Sequence, residues 1–150
     1  MKIFVTVGHT HYDALFKAVD EQLSPEKYQV INQISDGTYF PENHKYFKYT
    51  PQLQDEINNA DLVITHAGAG SVFYLLEIAK PLLIVPNFDR IDNHQKDIAD
   101  FVTQNNYASV CYDLEQLEKH VLASVNHSFT QYEKNNFCGY DKILDIINNA

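Results

Sequence analysis

Short apolar runs alternate along the chain with segments in which apolar residues recur at helical spacing, and this alternation most limits the possible folds. The runs are rich in β-branched and aromatic residues, which predicts buried strands. A helical segment between consecutive strands favours parallel pairing through right-handed crossovers. We therefore predict an α/β fold, a Rossmann-like parallel sheet with helices on both faces. The predicted strands are 3–7, 28–34, 46–48, 62–65, 82–86 and 108–111.

The intervening segments carry apolar residues three or four positions apart, which predicts helices with one buried face. Thr50 and Pro51 form a favourable helix start, and Asp113 is a favourable capping residue. In the fourth helix, Phe101 and Val102 are among the residues predicted to face inward. The predicted helices are 12–23, 51–59, 72–80, 94–104, 113–126 and, from the capping-box spacing at its start, 128–150.

The chain has 150 residues, 45% of them hydrophobic, which is the size and composition of a single domain spanning residues 1–150. Its formal net charge of −9 argues against partners such as nucleic acid or anionic lipid. The first apolar run is too short for a signal peptide, and no stretch approaches the roughly 18 apolar residues of a membrane span. Cys111 and Cys138 lie outside any metal-ligand spacing, so we expect a reducing, cytoplasmic location.

A loop rich in small residues, 66–71 (HAGAGS), follows the fourth predicted strand. In a parallel sheet, ligands bind where the carboxyl ends of strands meet the amino termini of helices. Small residues let a ligand approach the backbone, and a helix amino terminus offers N–H donors and a positive dipole. The loop therefore predicts a diphosphate cradle. The alternative is a plain strand-to-helix turn, since the chain has no Walker lysine and no GxGxxG pattern.

Two further loops at the same edge of the sheet carry polar residues. Loop 8–11 (GHTH) follows the first strand, where its two histidines form either a weak metal site or, as we favour, an ordinary surface loop. Asn93, His94 and Gln95 begin the fourth helix, and their amide and imidazole groups suit sugar hydroxyls. Simple helix capping by Asn93 is the alternative.

The helix after the 66–71 loop carries Tyr74 and Glu77 about one turn apart on one face. Either side chain is a candidate for a ribose contact, and the alternative is a core tyrosine beside a solvated glutamate. No Ser-His-Asp order, paired-carboxylate motif or Asp-x-Asp metal site stands out.

Five segments, in order along residues 1 to about 110, resemble the glycosyltransferase family 28 C-terminal domain. The likeness is nearest to its single-domain donor-binding subunits of two-subunit polyprenyl-linked glycosyltransferases, of the bacterial exopolysaccharide and capsule type and of the eukaryotic dolichol-linked type. It implies a domain equivalent to the C-terminal half of a GT-B glycosyltransferase. The segments are 3–8 (IFVTVG), 65–71 (THAGAGS), 80–81 (KP), 85–86 (VP) and 93–95 (NHQ).

The resemblance implies a catalytic subunit that transfers a sugar, with inversion, from a UDP-sugar to a polyprenyl-diphosphate-linked acceptor in polysaccharide biosynthesis, with no cofactor or metal ion. His9 is the candidate general base. The family's ribose-binding glutamate falls at Tyr74 in this chain, so the ribose contact is assigned to Glu77, one turn on. The implied substrate-binding residues are Gly8, Thr10, His66, Gly68, Ala69, Gly70, Ser71, Tyr74, Glu77, Asn93, His94 and Gln95.

The resemblance also implies a membrane-anchored partner that binds the lipid-linked saccharide acceptor and recruits this chain to the cytoplasmic face of the membrane. The predicted helix 128–150 is the candidate docking surface, although such an apolar stripe also suits packing on the chain's own core. Two other functions stay open: a non-catalytic nucleotide-sugar-binding or enhancer subunit, and an unrelated α/β nucleotide-binding module. The stripe consists of Phe129, Tyr132, Phe137, Tyr140, Leu144 and Ile147.

Overall fold

The computed structural model describes residues 1–88 and 94–134, so the predictions for Asn93 and for residues 135–150 lie outside the described residues. The described strands are β1 Lys2–Thr6, β2 Gln29–Gln33, β3 Lys45–Phe47, β4 Leu62–Thr65, β5 Leu82–Ile84 and β6 Ser109–Val110. They form one sheet in the order β3-β2-β1-β4-β5-β6, and every pairing is parallel. The predicted Rossmann-like parallel sheet is confirmed.

Five α-helices connect or follow these strands in the described part of the chain. A short 3-10 turn at Leu114–Gln116 precedes the fifth helix, and the Asp113 carboxylate caps this turn by accepting from the Glu115 N–H at 3.0 Å. None of the helices in residues 1–88 and 94–134 is long and apolar enough to cross a membrane. The helices are α1 Asp13–Gln22, α2 Leu53–Asn59, α3 Ala69–Glu77, α4 His94–Gln104 and α5 Leu117–Asn126.

Each face of the sheet has its own hydrophobic core. On one face, strand residues such as Val5 pack with Phe16 of α1 and with α5. On the other face, residues such as Phe4 pack with Leu75 of α3 and with α2 and α4. Each buried side chain of this size stabilises the fold by about 1.5–3 kcal/mol. Both faces are therefore covered by helices, as predicted, and the carboxyl ends of the strands are held at one common edge.

Helix α2 begins later than the sequence predicts. Its first residue is Leu53, not Pro51. The Thr50 hydroxyl accepts from the Gln52 N–H at 3.1 Å, two residues on, which forms a local turn instead of a helix cap. Competition of this kind between a turn and a cap explains why the predicted start was wrong.

The buried side of α4 also differs from the prediction in one residue. Gln95, Ala99 and Val102 are buried, as expected for positions on one helix face, whereas Phe101 is 39% exposed. The Phe101 ring instead covers the edge of a surface aromatic cluster, 5.9 Å from the ring centre of Phe73. The prediction for Phe101 was wrong because Phe101 lies next to the buried face of α4 and not on it.

The prediction of a helix that begins at residue 128 was wrong for the described residues 128–134, which have no helical structure. The Thr130 N–H donates to the carbonyl oxygen of Asn106 at 2.8 Å, so the backbone is tied to the turn between α4 and β6. Tyr132 packs its ring edge-on against Tyr107, with ring centres 5.3 Å apart. Tyr132 therefore packs on the domain itself, which was the alternative to partner docking for this residue of the stripe.

A buried carboxylate fastens the connection between β2 and β3 to α1. Asp20, only 5% exposed, accepts hydrogen bonds from the Tyr39 hydroxyl at 3.0 Å and from the N–H groups of Glu42 and Asn43, each at 2.9 Å. Burial by itself raises the pKa of Asp20, but these hydrogen bonds and the nearby His44 outweigh it, so the pKa is lowered. The ionised carboxylate is thus the form that stabilises the fold.

The fully buried thiol of Cys111 should resist alkylation in the native protein. It donates to the carbonyl oxygen of Asp113 at 3.1 Å, and burial raises its pKa to about 11. Since the thiolate is the nucleophile, we expect Cys111 to react with iodoacetamide at pH 8 about two orders of magnitude more slowly than in guanidinium. Peptide mass spectrometry separates Cys111 from Cys138. Equal labelling rates in native and unfolded protein would contradict the prediction.

Candidate functional site

The loops that follow β1, β4 and β5 meet at the carboxyl edge of the sheet, which we call the rim: residues 7–12, 66–68 and 85–88. From β1 the chain runs to β2 on one side, whereas from β4 it runs to β5 on the other, so the loops after β1 and β4 diverge and leave a crevice between them. The ring of His66 bridges this crevice, because it lies close to the backbone of both Gly8 and Gly68. Three predicted residues from two separate loops are therefore brought together.

The β1–α1 loop is held in one shape by short-range hydrogen bonds. Gly8 has a φ of 63°, a left-handed conformation that glycine adopts without steric cost. Its N–H donates to the Thr6 hydroxyl at 3.3 Å, and the N–H and hydroxyl of Thr10 both donate to the carbonyl oxygen of Val7, at 3.2 and 2.9 Å. His9 is exposed at the tip of this loop, with its ring centre 6.1 Å from that of Tyr49. The loop thus presents His9 to solvent on a fixed backbone.

The amino terminus of α3 has the features of an anion site. The first N–H that bonds within the helix is that of Val72, to the carbonyl oxygen of Gly68 at 3.0 Å, so the N–H groups of Ala69, Gly70 and Ser71 precede the helical hydrogen bonds. No side chain within the described residues caps this end of the helix. N–H groups that make no hydrogen bond within the helix, together with the helix dipole, favour a negatively charged ligand.

Gly8 and Gly68 in the rim, and Gly70 in the first turn of α3, differ in what surrounds them. Gly8 has the left-handed backbone just described, whereas Gly68 has a φ of −80° that any residue adopts. A side-chain carbon added to Gly68 would lie 2.7 Å from two atoms of the His66 ring, closer than real contacts allow. One added to Gly70 would meet no atom within 4 Å. Space is therefore open beside Gly70, in the first turn of α3.

A cleft of about 560 Å³ lies beside the β1–α1 loop. Asn87 of the loop after β5 closes one side of it, and the neighbouring Tyr12 hydroxyl donates to the carbonyl oxygen of Pro86 at 3.0 Å, which joins the two loops. A larger cavity, of about 620 Å³, lies at the opposite edge of the sheet, away from every glycine of the rim. The cleft is lined by His9, Thr10, His11, Tyr12, Asp13, Ala14 and Asn87.

The predicted sugar-binding residues at the start of α4 differ in accessibility. His94 is exposed, whereas Gln95 is buried and its Oε1 accepts from the Asn87 N–H at 2.8 Å. Gln95 therefore fixes the loop after β5, which is a structural role compatible with shaping the cleft. Its contact with a donor sugar stays a prediction, as does that of His94.

Replacement of Gln95 by leucine tests this anchoring role. The substitution leaves the buried Asn87 N–H without its acceptor from α4, so we expect a loss of about 1–3 kcal/mol in the free energy of unfolding. Urea denaturation measures the change, and Gln104→Leu, at an exposed position of the same helix, is the matched control. A variant as stable as the wild type would show that Gln95 does not hold the loop.

Tyr74 and Glu77 stand on α3 but face different neighbours. The Tyr74 hydroxyl donates to Oε1 of Gln54 on α2. Glu77 lies in the last turn of α3, about 12 Å along the helix axis from Ala69. Its carboxylate forms an ion pair with Lys134 at 3.0 Å. Lys134 thus competes with any ribose for Glu77, and the assignment of the ribose contact to Glu77 or Tyr74 stays a prediction.

Polar residues in and after β2 also reach the rim, although no motif in the sequence singles them out. Ser35 has a φ of 52°, and its hydroxyl donates to the carbonyl oxygen of Gly8. Gln33, Thr6 and Thr65 stand side by side in the strand register, and among the described residues neither Oε1 of Gln33 nor Oγ1 of Thr65 has a hydrogen-bond partner. The available signal was the turn sequence Ser35-Asp36-Gly37 directly after a strand next to β1.

No group of three or more His, Cys, Asp or Glu residues arranged to hold a metal ion occurs within residues 1–88 and 94–134. His9 and His11 both line the cleft beside the β1–α1 loop.

A comparison with protein families decides the ancestry of this domain. The sequence model of the glycosyltransferase family 28 C-terminal domain matches residues 2–148. The chain belongs to this family. The match extends well past the five segments that carried the resemblance, and it includes the loops of the rim.

Two relatives and two solved structures place this family 28 domain more closely. The human UDP-N-acetylglucosamine transferase subunit ALG13 is 36% identical over 122 residues, which is 73% of this chain but 11% of that protein. The protein of the same name from Yarrowia lipolytica is 32% identical over 136 residues, 78% of this chain and 68% of that protein. The chain therefore spans about a tenth of the human relative and about two thirds of the fungal one.

An NMR structure of ALG13 superposes with a TM-score of 0.62 at 22% identity, covering 95% of this chain and 94% of that one. The crystal structure of Acinetobacter baumannii MurG superposes with a TM-score of 0.62 at 18% identity, covering 99% of this chain and 50% of the other. At these identities the likeness concerns the fold. It confirms that the family 28 domain has the predicted architecture, which corresponds to half of the MurG chain.

Proposed function

We propose that this chain is the donor-binding, catalytic subunit of a glycosyltransferase that uses a UDP-sugar. The observation that carries the proposal is the uncapped amino terminus of α3 with open space in front of Gly70. Membership of family 28 and the names of the relatives, which are UDP-N-acetylglucosamine transferase subunits, support it. UDP-N-acetylglucosamine is therefore the first donor to test.

In the proposed complex, the diphosphate of the donor lies against the N–H groups of Ala69, Gly70 and Ser71, with the Ser71 hydroxyl as a further donor. When the bond between the sugar and the diphosphate breaks, negative charge grows on the departing UDP. N–H groups that already point at this position stabilise the charge without reorganisation, which is the largest contribution that a site of this kind makes. The positive end of the α3 dipole also stabilises the negative charge on the departing UDP.

The remaining predicted residues are proposed to complete the site around the same crevice. His9 and Thr10 line the cleft from the β1–α1 loop, directly after Gly8, and exposed His9 is the proposed general base for the acceptor hydroxyl. His94 and Gln95 are proposed to face the donor sugar. Tyr74 or Glu77 contacts the ribose, and Glu77 does so only where its ion pair with Lys134 opens.

The acceptor is proposed to be a polyprenyl-diphosphate-linked saccharide of the kind used in capsule or exopolysaccharide synthesis, held by a membrane-anchored partner subunit on the cytoplasmic side. The described helices offer no membrane span of their own, and the net charge of −9 disfavours direct docking on anionic lipid. The relatives are named as subunits, which supports a partner.

Calorimetric titration of the purified chain with UDP, ADP, GDP and dTDP tests donor binding. We expect UDP to bind at least about tenfold more tightly than the other three, a difference of about 1.4 kcal/mol. UDP-N-acetylglucosamine, UDP-glucuronic acid and UDP-galactose then identify the sugar. Equal affinity for all four nucleotides would instead support an unrelated nucleotide-binding module.

Transfer itself is tested with membranes from cells that lack this chain but keep every partner. Purified chain and radiolabelled UDP-N-acetylglucosamine are added, and the label in the lipid extract is counted. We expect transfer only when both the chain and the membranes are present. If a variant that no longer binds UDP restores transfer as well as the wild type, the chain is a non-catalytic enhancer and the catalytic proposal is wrong.

A further inference from the structure

The turn that follows β2, residues 34–38, is bonded to the start of the β1–α1 loop. The Ser35 hydroxyl donates to the carbonyl oxygen of Gly8, and Ser35 is fully buried. The Ser35 N–H donates to the carbonyl oxygen of Lys48 at 3.1 Å, which joins the turn to the segment after β3 as well. Ser35 therefore lies where the segments that follow three adjacent strands meet.

The same turn holds the other end of the loop, where α1 begins. The Thr38 N–H donates to the Asp13 carboxylate, whose two oxygens lie 3.0 and 3.1 Å away, and the Thr38 hydroxyl donates to it at 2.6 Å. Burial raises the pKa of Asp13, but these hydrogen bonds outweigh it, so the pKa is lowered and the carboxylate stays ionised at neutral pH. The loop segment 9–12 is thus anchored on both sides by one turn.

The backbone at position 35 favours glycine, yet the residue is a serine. Its φ of 52° lies in the left-handed region, which glycine adopts without steric cost and a residue with a side-chain carbon does not. Strained residues of this kind persist where the surrounding structure makes use of them. The hydroxyl bonded to Gly8, which a glycine would lack, accounts for the serine.

We propose that Ser35 is a positioning residue for His9, the proposed general base. The Gly8 carbonyl and the His9 N–H belong to one planar peptide unit, so a hydrogen bond to the carbonyl oxygen fixes the orientation of the backbone that carries His9. This inference rests on the proposed function, because His9 needs a fixed position if it accepts the proton of an acceptor hydroxyl. Displacement of a reacting group by about 1 Å is enough to lower the rate strongly.

Ser35→Gly removes the hydroxyl and keeps the left-handed backbone. In the membrane transfer assay we expect kcat to fall at least about tenfold. The Kd for UDP should stay within about threefold of the wild type, because the diphosphate is proposed to lie at α3. A merely structural role would lower Tm and leave kcat unchanged at temperatures well below Tm.

Asn106→Gly is the matched control for this substitution. Asn106 has a φ of 54°, and its side chain also donates to a carbonyl oxygen, that of Ser128 at 3.3 Å. It lies before β6, at the edge of the sheet opposite the rim. We expect this variant to keep the wild-type kcat, and an equal fall in kcat in both glycine variants would overturn the proposal.

Ser35→Ala separates the hydroxyl from the backbone strain. Alanine also lacks the hydroxyl but keeps the side-chain carbon that the left-handed conformation disfavours, so its Tm should be lower than that of Ser35→Gly. If the hydrogen bond positions His9, both variants lose kcat to a similar extent when they are assayed well below each Tm. Wild-type kcat in the alanine variant would overturn the proposal, since the loss in Ser35→Gly would then come from backbone freedom.

Amide hydrogen exchange gives a readout that does not depend on transfer. The Thr10 N–H donates to the carbonyl oxygen of Val7 at 3.2 Å, so its exchange reports opening of the loop. We expect this N–H to exchange at least about fivefold faster in Ser35→Gly than in the wild type. If the wild-type chain and membranes give no transfer, the proposed function fails, and the exchange rate still decides whether Ser35 holds the loop. If transfer occurs and either kcat or the exchange rate is unchanged, the positioning role alone is wrong.

Discussion

Gly70→Asp is expected to remove most UDP binding while leaving the fold as stable as before or more so. A side chain at this position meets no atom within 4 Å, so the change creates no clash. Removal of a glycine from a helix stabilises the helix, and so does addition of an acidic residue to its first turn. Each effect contributes about 0.3–1 kcal/mol. The same carboxylate, about 5 Å from a bound diphosphate, repels it by about 3 kcal/mol at an effective dielectric constant of about 20. We expect the Kd for UDP to rise about a hundredfold.

Gly70→Asn is the matched control, since asparagine has the size of aspartate without the charge. Calorimetry gives the Kd of both variants, and thermal unfolding confirms that both are folded. We expect the asparagine variant to bind UDP clearly more tightly than the aspartate variant. Wild-type affinity in both variants would show that the diphosphate does not lie at the amino terminus of α3.

Asp20→Asn is expected to give the largest loss of stability among single polar substitutions in the described part of the chain. The amide cannot accept from all three donors, the Tyr39 hydroxyl and the N–H groups of Glu42 and Asn43, and its own NH₂ group faces one of them. Hydrogen bonds to a buried charge are worth more than neutral ones, so we expect a loss of about 2–4 kcal/mol at pH 7. Glu21→Gln, on an exposed neighbour, is the control.

The pH dependence of this loss gives a second, independent test. Because the folded pKa of Asp20 is lowered, its contribution is complete above the unfolded pKa of about 3.9 and is lost as the pH falls through the folded value. The difference in free energy of unfolding between wild type and Asp20→Asn should therefore be constant from about pH 5 to 7 and shrink below about pH 4. A difference that grows on acidification would show that the ionised carboxylate does not stabilise the loop.

A spectroscopic readout accompanies the Asp20 substitution. Burial, followed by the hydrogen bond and charge of Asp20, raises the pKa of Tyr39 to about 12. Loss of the negative charge should lower this pKa, so alkaline titration of tyrosine absorbance should show one residue ionising earlier in the variant. An unchanged titration curve would mean that Asp20 and Tyr39 are not in contact in solution.

The order of elements and the parallel sheet were predictable because the central strands β1, β4 and β5 are mostly apolar on both faces and most of the crossovers carry a helical repeat. Strand 62–65 was predicted at its observed bounds, since Asp61 and His66 flank a purely apolar and β-branched run. The loop 66–71 was recognisable as a candidate site for the same reason: small residues directly after a buried strand have few structural uses other than close approach of a backbone or ligand.

Side-chain partners from distant parts of the chain were not predictable. Glu77 pairs with Lys134, and Gln95 pairs with Asn87. Both pairings depend on where the loops lie after folding, so no local sequence pattern predicts them. The helix predicted to start at residue 128 failed for a related reason. Its capping-box spacing is a local signal, whereas contacts of Thr130 and Tyr132 with the α4–β6 turn favour an extended path.

The central place of β1 in the sheet has a consequence for how the chain is made. Ile3 pairs with Val30 on one side and with Leu62 on the other, so β1 waits for two partner strands that are synthesised after it. Until then its apolar residues are exposed, and pairings this remote in sequence form slowly. Chaperone supply and translation speed over residues 30–65 should therefore govern the yield of folded protein more than changes near the carboxyl end of the described chain.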